Sequence, residues 1–464
     1  MRIFYFLLIF IYRNKLKNKM LLTAKVQLMR TNKDGVDLDV LYKLAYHNAR
    51  LYNVGLYNVR QHFFNTNSYL NYFSNHSECQ TNENYKLLLT DCAQQTLRLV
   101  DRDMKSFFKL LVAKKNGVYS FPVHLPRYKD KEGIMAFAIQ GRSCRIQKDG
   151  TVAIGLTKEF RELYNIPYRR FLLTIPKPIR NVQQFREMRF IPKYGGKEFQ
   201  VEFVYESNLV QQPKQIPSTA DGYLSIDIGV TNLFACTTFS NSGTSQFIID
   251  GRHIKAINHY YNKVKAKLQG DYSHNKSIDG MNTKRFIRLS KARTNKIDAY
   301  FNESIKYLLS KCFALGLSTI VVGYNKEQKQ ECGIHWKANT QNFVSIPYHR
   351  FRQRLAYKCE LHGIKCIFQE ESYTSKASSL DLDVVPTYVK GDETNYAFSG
   401  KRVKRGLYRS KDGLLINADI NGSVNILRKY LTECNAKALS ADAVRALVNV
   451  PCQRVNPLCS SHFL

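Results

Sequence analysis

Apolar and polar residues alternate with two different periods along this chain, and the switches between them mark out its parts. Residues 21–28, LLTAKVQL, alternate with the period of two expected of a half-buried strand. Tyr42, Ala45, Tyr46, Ala49, Tyr52 and Leu56 then recur at helical spacing, with Asp37 or Asp39 placed to cap the helix. A second helical pattern runs through Leu89, Ala93, Leu97, Val100, Met104 and Leu111, so residues 41–114 read as a helical insertion. Its aromatic stripe reads as core before it reads as a base-stacking platform. From 115 to 210 the runs AFAIQ, CRIQ, TVAIGL, FLLTIP and FQVEFVYE, separated by turn residues, predict a small β-barrel or sandwich. With 20–40 added, one β domain carrying the helical insertion results. The polar stretch 211–220, QQPKQIPSTA, reads as a linker.

Beyond the linker the order of elements becomes informative. Residues 224–239, LSIDIGVTNLFACTTF, predict a hairpin turning at Gly229, with one acid, Asp227, inside a run otherwise fit for a buried strand. A third strand at 246–250, long basic helices at 254–269 and 283–312, and a strand at 319–322 follow. A helix at 347–362 closed by Gly363, a strand at 364–368 and a helix at 420–431 complete the pattern. Three antiparallel strands followed by alternating helix and strand predict an α/β unit over 221–434 with a mixed sheet, the ribonuclease H-like arrangement. Residues 435–464 have weak pattern and read as a loosely held tail. Residues 1–19 read as an extension ahead of a start at Met20, because their apolar run is too short to span a bilayer and no small-residue cleavage site follows it.

Charge narrows the choice of partner. The 464 residues carry 70 Lys+Arg against 37 Asp+Glu, a formal net charge of +33. Such an excess repels itself and is retained most easily beside a polyanion, nucleic acid first and an anionic membrane surface second. Clusters at Arg127, Lys129 and Lys131 and at Arg350, Arg352 and Arg354 are the candidate contacts. The 11 cysteines include no Cys-x-x-Cys pair, which argues against a zinc ribbon. Several, such as Cys236, Cys312 and Cys366, fall at apolar positions, which suits reduced thiols in an intracellular compartment.

Two aspartates carry the candidate chemistry. A carboxylate in a buried strand is costly unless a cation or hydrogen bonds compensate it, so Asp227 reads either as a metal ligand or as a strand-end acid bonded to its own turn. Asp419, in LLINADINGSVNIL, stands directly before an amphipathic helix and on its own reads as an N-cap. Paired with Asp227 in this order of elements it reads as a second ligand. Hard oxygen ligands from different elements suit magnesium or manganese in a two-metal site.

At these residues the chain resembles a known family. IDIGVTN, a long basic helix, YTSKAS and NADINGSVNIL, with QQTLRLVDRDMKSFF and LPRYKDK upstream, are similar in order and spacing to the TnpB family of transposon-associated RNA-guided DNA nucleases. That family has a RuvC-type catalytic domain and is related to type V CRISPR effectors and Fanzor proteins. The resemblance covers roughly residues 20–430. It implies a wedge-like β-barrel that holds RNA, a nuclease cutting DNA with magnesium or manganese, a guide RNA, and a double-stranded DNA target with a short adjacent motif. The location implied is cytoplasmic or nucleoid, or nuclear in a eukaryote.

In two places the chain departs from the family. The middle catalytic glutamate is expected at the end of the strand after the long helix, where this chain has Gly323, and the nearby Glu327 and Glu331 lie in a polar loop. The next strand ends in Glu370 and Glu371, which alternation sends to opposite faces. Glu371 is the expected third acid with Asp227 and Asp419, Glu370 its rival, and an ion pair with a basic neighbour the alternative to either. The family's four-cysteine ribbon is also missing, since residues 378–417 contain no cysteine; a reduced insertion without zinc is expected. A ribonuclease H-like transposase acting on transposon ends without RNA, and a guided repressor that no longer cuts, are the competing functions.

Overall fold

The computed structural model describes residues 21–29, 37–179, 182, 185–206, 214–217, 219–273, 283–325, 345–388, 394–404 and 406–459. The extension ahead of Met20, residues 211–213 and 218 of the linker, Glu327 and Glu331 lie outside the described residues. The chain divides into two compact units, residues 1–211 and 212–464.

In the first unit β1 (Leu21–Met29) leads to α1 (Leu38–Thr66), α2 (Tyr72–Cys79), α3 (Glu83–Lys86) and α4 (Thr90–Lys115). Asp37 is the cap of α1, its carboxylate accepting from the Asp39 backbone at 2.9 Å. Asn71 and Asn82 cap the two short helices that periodicity does not reveal, both being too short to show a period. The stripes read from the sequence face each other: Ala49, Tyr52, Leu56 and Val59 of α1 pack with Val100 and Met104 of α4. Gly55 permits the approach, since a Cβ there would lie 2.6 Å from Leu97 Cδ2.

After these helices come β2 (Phe137–Gln140), β3 (Cys144–Ile146), β4 (Thr151–Gly155), α5 (Lys158–Leu163), β5 (Arg170–Thr174), β6 (Phe185–Lys193) and β7 (Glu198–Glu206). They form two sheets, ordered β1-β7-β6-β2 and β3-β4-β5. β1 returns to pair antiparallel with β7, Val26 opposite Val201. β6 is absent from the sequence reading because FREMRFIPK carries four charges and a proline, which obscure its buried positions Phe185, Met188 and Phe190.

The second unit is built on one six-stranded sheet. Its strands are β8 (Gly222–Ile228), β9 (Asn232–Ser240), β10 (Gly243–Asp250), β11 (Leu317–Tyr324), β12 (Lys365–Glu370) and, near the end of the chain, β16 (Gln453–Val455), in the order β12-β11-β8-β9-β10-β16. β8, β9 and β10 are antiparallel neighbours, whereas β11 runs parallel to β8 and β12 parallel to β11. The parallel pairs need crossovers, and helices supply them. α6 (Arg252–Ser273) and α7 (Lys284–Leu315) precede β11, and α8 (Tyr348–Leu361) precedes β12. Gly316 ends α7 and Gly363 follows α8, at φ 63° and 70°, the left-handed conformation that glycine adopts without strain.

Alternation along the strands assigns the two faces. Leu224, Ile226 and Ile228, with Ile320 and Val322, pack on Phe301 and Leu308 of α7 and Phe351 and Leu355 of α8. Opposite them, Ala235 and Val321 pack on α9 (Ala418–Glu433), through Ile420, Val424 and Leu427. A small sheet of β13 (Lys401–Lys404), β14 (Leu407–Arg409) and β15 (Leu415–Asn417) precedes α9. Among the described residues no helix is long and apolar enough to cross a membrane.

The tail overturns its expectation. α10 (Ala441–Asn449) buries Val444 and Leu447 completely on the α9 side, and β16 pairs parallel with β10. Gln246 of β10 donates to the Leu447 carbonyl at 2.8 Å, fastening the helix end. A nine-residue helix and a three-residue strand give too little periodicity to be read from sequence, though each is held by the sheet it completes. Leu447→Ala is expected to cost about 2–5 kcal/mol, seen as a lower urea midpoint in equilibrium unfolding. An unchanged midpoint would mean that the tail does not belong to the folded unit.

Candidate active site

Asp227 is placed by the period of its strand. Because Ile226 and Ile228 enter the core under α7 and α8, Asp227 and Ser225 face α9. α9 can approach that face closely because its first turns are small and polar. A Cβ on Gly422 would lie 2.8 Å from Asp227 Oδ2, so any larger residue would displace the carboxyl. Ser225 Oγ donates to the Ser423 carbonyl at 2.5 Å, and Ser423 Oγ returns a bond to the Ser225 carbonyl at 3.0 Å. The NGS of NADINGSVNIL is thus the contact that seats the helix on the acid's strand.

Asp419 is not the N-cap of that helix. Asn417 takes the role, accepting from the backbone of Asp419 at 2.9 Å and of Ile420 at 3.3 Å. The Asp419 carboxylate is left for other partners: Asn232 donates to Oδ2 at 2.6 Å, and Arg402 of β13 stands 3.4 Å from Oδ1. Arg454 of β16 in turn donates to Asn232 Oδ1 at 2.8 Å, which fixes which end of the amide faces Asp419. An orienter of this kind sets the direction of the acid it touches.

The position expected to hold a glutamate explains its own glycine. A Cβ on Gly323 would lie 2.6 Å from Glu371 Oε2 and 2.7 Å from Ile426 Cδ1. The carboxyl from the neighbouring strand end therefore occupies the space that a side chain at 323 would need. Glu370 goes elsewhere: it pairs with Lys429 of α9, and its Oε1 accepts from the Ser372 backbone at 2.7 Å. The two acids do not part by alternation, because β12 ends at Glu370 and both carboxyls stay on the α9 side. Glu370 thus has the ion pair that sequence left open for either residue.

Two of the acids act on the third. Burial, then the charges of Glu371 and Asp419, push the Asp227 carboxyl well above the usual carboxylate range, with Arg402 and the Ile228 backbone opposing. Burial pushes Glu371 up to about 7. Arg352, whose guanidinium lies 4.7 Å from the Tyr324 ring centre, opposes that rise, and Glu370 adds to it. Crowding of this kind at Asp227 is what a divalent cation relieves, and the hard oxygen donors of Glu371 over Gly323 and Asp227 over Gly422, with Asp419, are of the type that suits magnesium or manganese. Among the described residues, however, no three acidic, histidine or cysteine side chains are drawn into one ligand sphere.

The basic clusters are only partly open to solvent. Arg350 and Arg354 both pair with Asp298 of α7, at 2.8 and 2.7 Å, and Arg352 lies over Tyr324 near Glu371. In the first unit Arg127 and Lys131 are exposed, while Lys129 lies over the Tyr52 ring at 4.4 Å. Asn53 fixes that segment to α1 by bonding both the backbone N–H and the carbonyl of Lys129. Between YTSKAS and α9, buried Asn421 and Asn425 donate to the Ala377 carbonyl at 2.8 and 2.7 Å. Asp383 accepts from the Ser378 and Ser399 backbones at 2.8 and 3.0 Å, tying together the segment that contains no cysteine. Sequence reading missed Asn232, Arg402, Arg454, Asn421 and Asn425, whose partners lie far away along the chain; only the polar residues within the apolar pattern of α9 hinted at them.

Comparison with known proteins bears on the family and the fold. Residues 203–329 match the family model OrfB_IS605, described as a probable transposase, and residues 348–426 match the Cas12f1-like, TNB domain. The TnpB-like protein ORF457 of Acidianus two-tailed virus is 23% identical over 459 residues, covering 90% of this chain and 88% of its own. A solved Cas12f1–sgRNA–target DNA complex has a TM-score of 0.50 at 15% identity, covering 84% of this chain and 82% of that one. At that identity the likeness speaks for the mixed α/β fold alone. The motifs, the two family models in sequence order and the viral relative point the same way: this chain is similar to TnpB-like proteins.

Proposed function

We propose that the protein is an RNA-guided DNA endonuclease whose second unit is a ribonuclease H-like, RuvC-type domain that cuts phosphodiester bonds. The observation that carries this reading is the arrival of Asp227, Glu371 and Asp419 on one face of the sheet from three separate elements, where the last two act on the buried Asp227 carboxyl. Asp227, Glu371 and Asp419 would hold magnesium or manganese, which supplies positive charge to an attacking water and to the leaving oxygen. Asn232 keeps the Asp419 carboxylate directed at the site, with Arg454 behind it. Arg402, half-exposed beside Asp419, is placed to meet a phosphate when the acids are neutralised. The Cas12f1 relative was solved with sgRNA and target DNA, and the +33 charge suits the same partners here, phosphates read by charge and shape while base pairing supplies sequence. The first unit would hold the guide and read a motif beside the target. Its four- and three-stranded sheets would serve as the wedge-like β module and α1 to α4 as the recognition insertion.

The description of one matching family as a probable transposase favours a second reading, strand transfer at transposon ends without RNA. Cleavage of DNA matched to the co-purifying RNA, in magnesium, separates the two, and RNA-dependent binding without cuts would leave a repressor. On the proposed reading Asp227→Ala, Glu371→Ala and Asp419→Ala each abolish cutting and leave RNA and DNA binding in place. Glu370→Gln retains activity, and Asn232→Ala costs about 10–100-fold. Full cutting by Glu371→Ala would remove that residue from the site.

A pH dependence follows from Glu371. Its folded value, about 7, lies above the ordinary 4.5, so the fold favours the protonated form. That stability is fully present below 4.5 and is lost as pH rises through 7. In EDTA, the Tm of the native protein is expected to fall relative to Glu371→Gln across this window, and magnesium is expected to restore it above the window. Parallel curves for the two proteins would show that Glu371 is not held under charge strain.

A further inference from the structure

The loop after Glu371 forms a cavity on one side of that acid. It has a volume of about 340 Å³ and is lined by Glu371, Ser372, Tyr373, Ser375, Lys376 and Tyr388. The loop's shape is imposed from below. Thr374 Oγ1 donates to the Glu371 carbonyl at 2.8 Å, and Asn425 of α9 donates to the Thr374 and Ala377 carbonyls at 2.9 and 2.7 Å. Between these anchors Tyr373 sits at φ 63°, left-handed backbone that a bulky residue adopts only under restraint. Its ring is braced edge-on by Tyr396, with centroids 5.1 Å apart, and at a tilt by Phe398 at 6.3 Å. The Lys376 ammonium lies 5.8 Å from the ring centre, and Tyr388 is 56% exposed at the rim. Packing alone leaves this arrangement unexplained, because Tyr373 is half-buried and its ring borders open space beside an acid of the site.

A braced aromatic ring with a lysine beside it and hydroxyls around it has the chemistry of a base-stacking subsite, which accepts any base because every base has a π-face. Bases inside a duplex are not offered to such a ring, so the strand must be single. We propose that this cavity takes one unstacked base of single-stranded DNA adjacent to the phosphate at Asp227 and Glu371, stacked on Tyr373 with a flanking phosphate at Lys376. The proposal rests on the nuclease reading for the identity of that phosphate and extends it by fixing where the strand lies and why it must be unpaired.

The test uses the full-length protein in EDTA, a short oligothymidylate carrying 5-iodouracil, near-ultraviolet crosslinking and peptide mapping. The crosslink is expected at Tyr373, retained in Tyr373→Phe and lost in Tyr373→Leu. Crosslinks confined to other segments would overturn the proposal, as would equal yields in the Leu variant at unchanged thermal stability. A ribo-oligomer that crosslinks as well as the DNA would overturn the assignment to DNA. In magnesium, Tyr373→Leu is expected to raise the KM for single-stranded substrate about ten-fold and to leave kcat near that of Tyr373→Phe; an unchanged KM counts against the subsite. A Tyr373 crosslink in a protein that never cuts would support the subsite while removing the nuclease reading.

Discussion

Like charges crowded at one place on a sheet are the constraint on which the second unit is organised. Burial and the charges of Glu371 and Asp419 raise the cost of ionising Asp227, and a fold gains nothing in stability by placing them together. The surrounding structure has to impose the arrangement. It does so with two glycines that leave room for carboxyl oxygens, a serine pair that clamps α9 to β8, and amide side chains that bond what the helix uncovers. These features sit on the α9 face, while the opposite face is an ordinary apolar core under α7 and α8. Separating polar organisation from apolar cohesion lets the sheet carry a strained site without losing its packing.

The acid missing from β11 illustrates how interchangeable positions are on a parallel sheet. The tips of β11 and β12 are neighbours, Tyr324 opposite Glu370, so an acid just beyond one strand reaches the ground that a side chain on the other would occupy. The exchange is exclusive, because Glu371 fills the volume above Gly323. The glycine at 323 and the acid at 371 are therefore two halves of one fit.

Much of this was legible in the chain because strands and long helices carry their own periods. The hairpin around Asp227, the order of strand and helix after it, and the capped ends at Thr283 and Gly316 are all local signals. Glu371 was legible as one of two adjacent candidates; choosing between them took knowledge of Lys429, 59 residues along, which claims Glu370. The tail was misread because three strand residues have no period of their own and gain their meaning from β10. Asn232 and Arg454 were invisible for a related reason: nothing near either residue announces a partner 222 positions away.

That last contact links the edge of the sheet to its acids. The amide that bonds Asp419 is itself held by Arg454, which β16 carries alongside β10. A change at this edge strand is thereby carried inward through two successive hydrogen bonds to the Asp419 carboxylate.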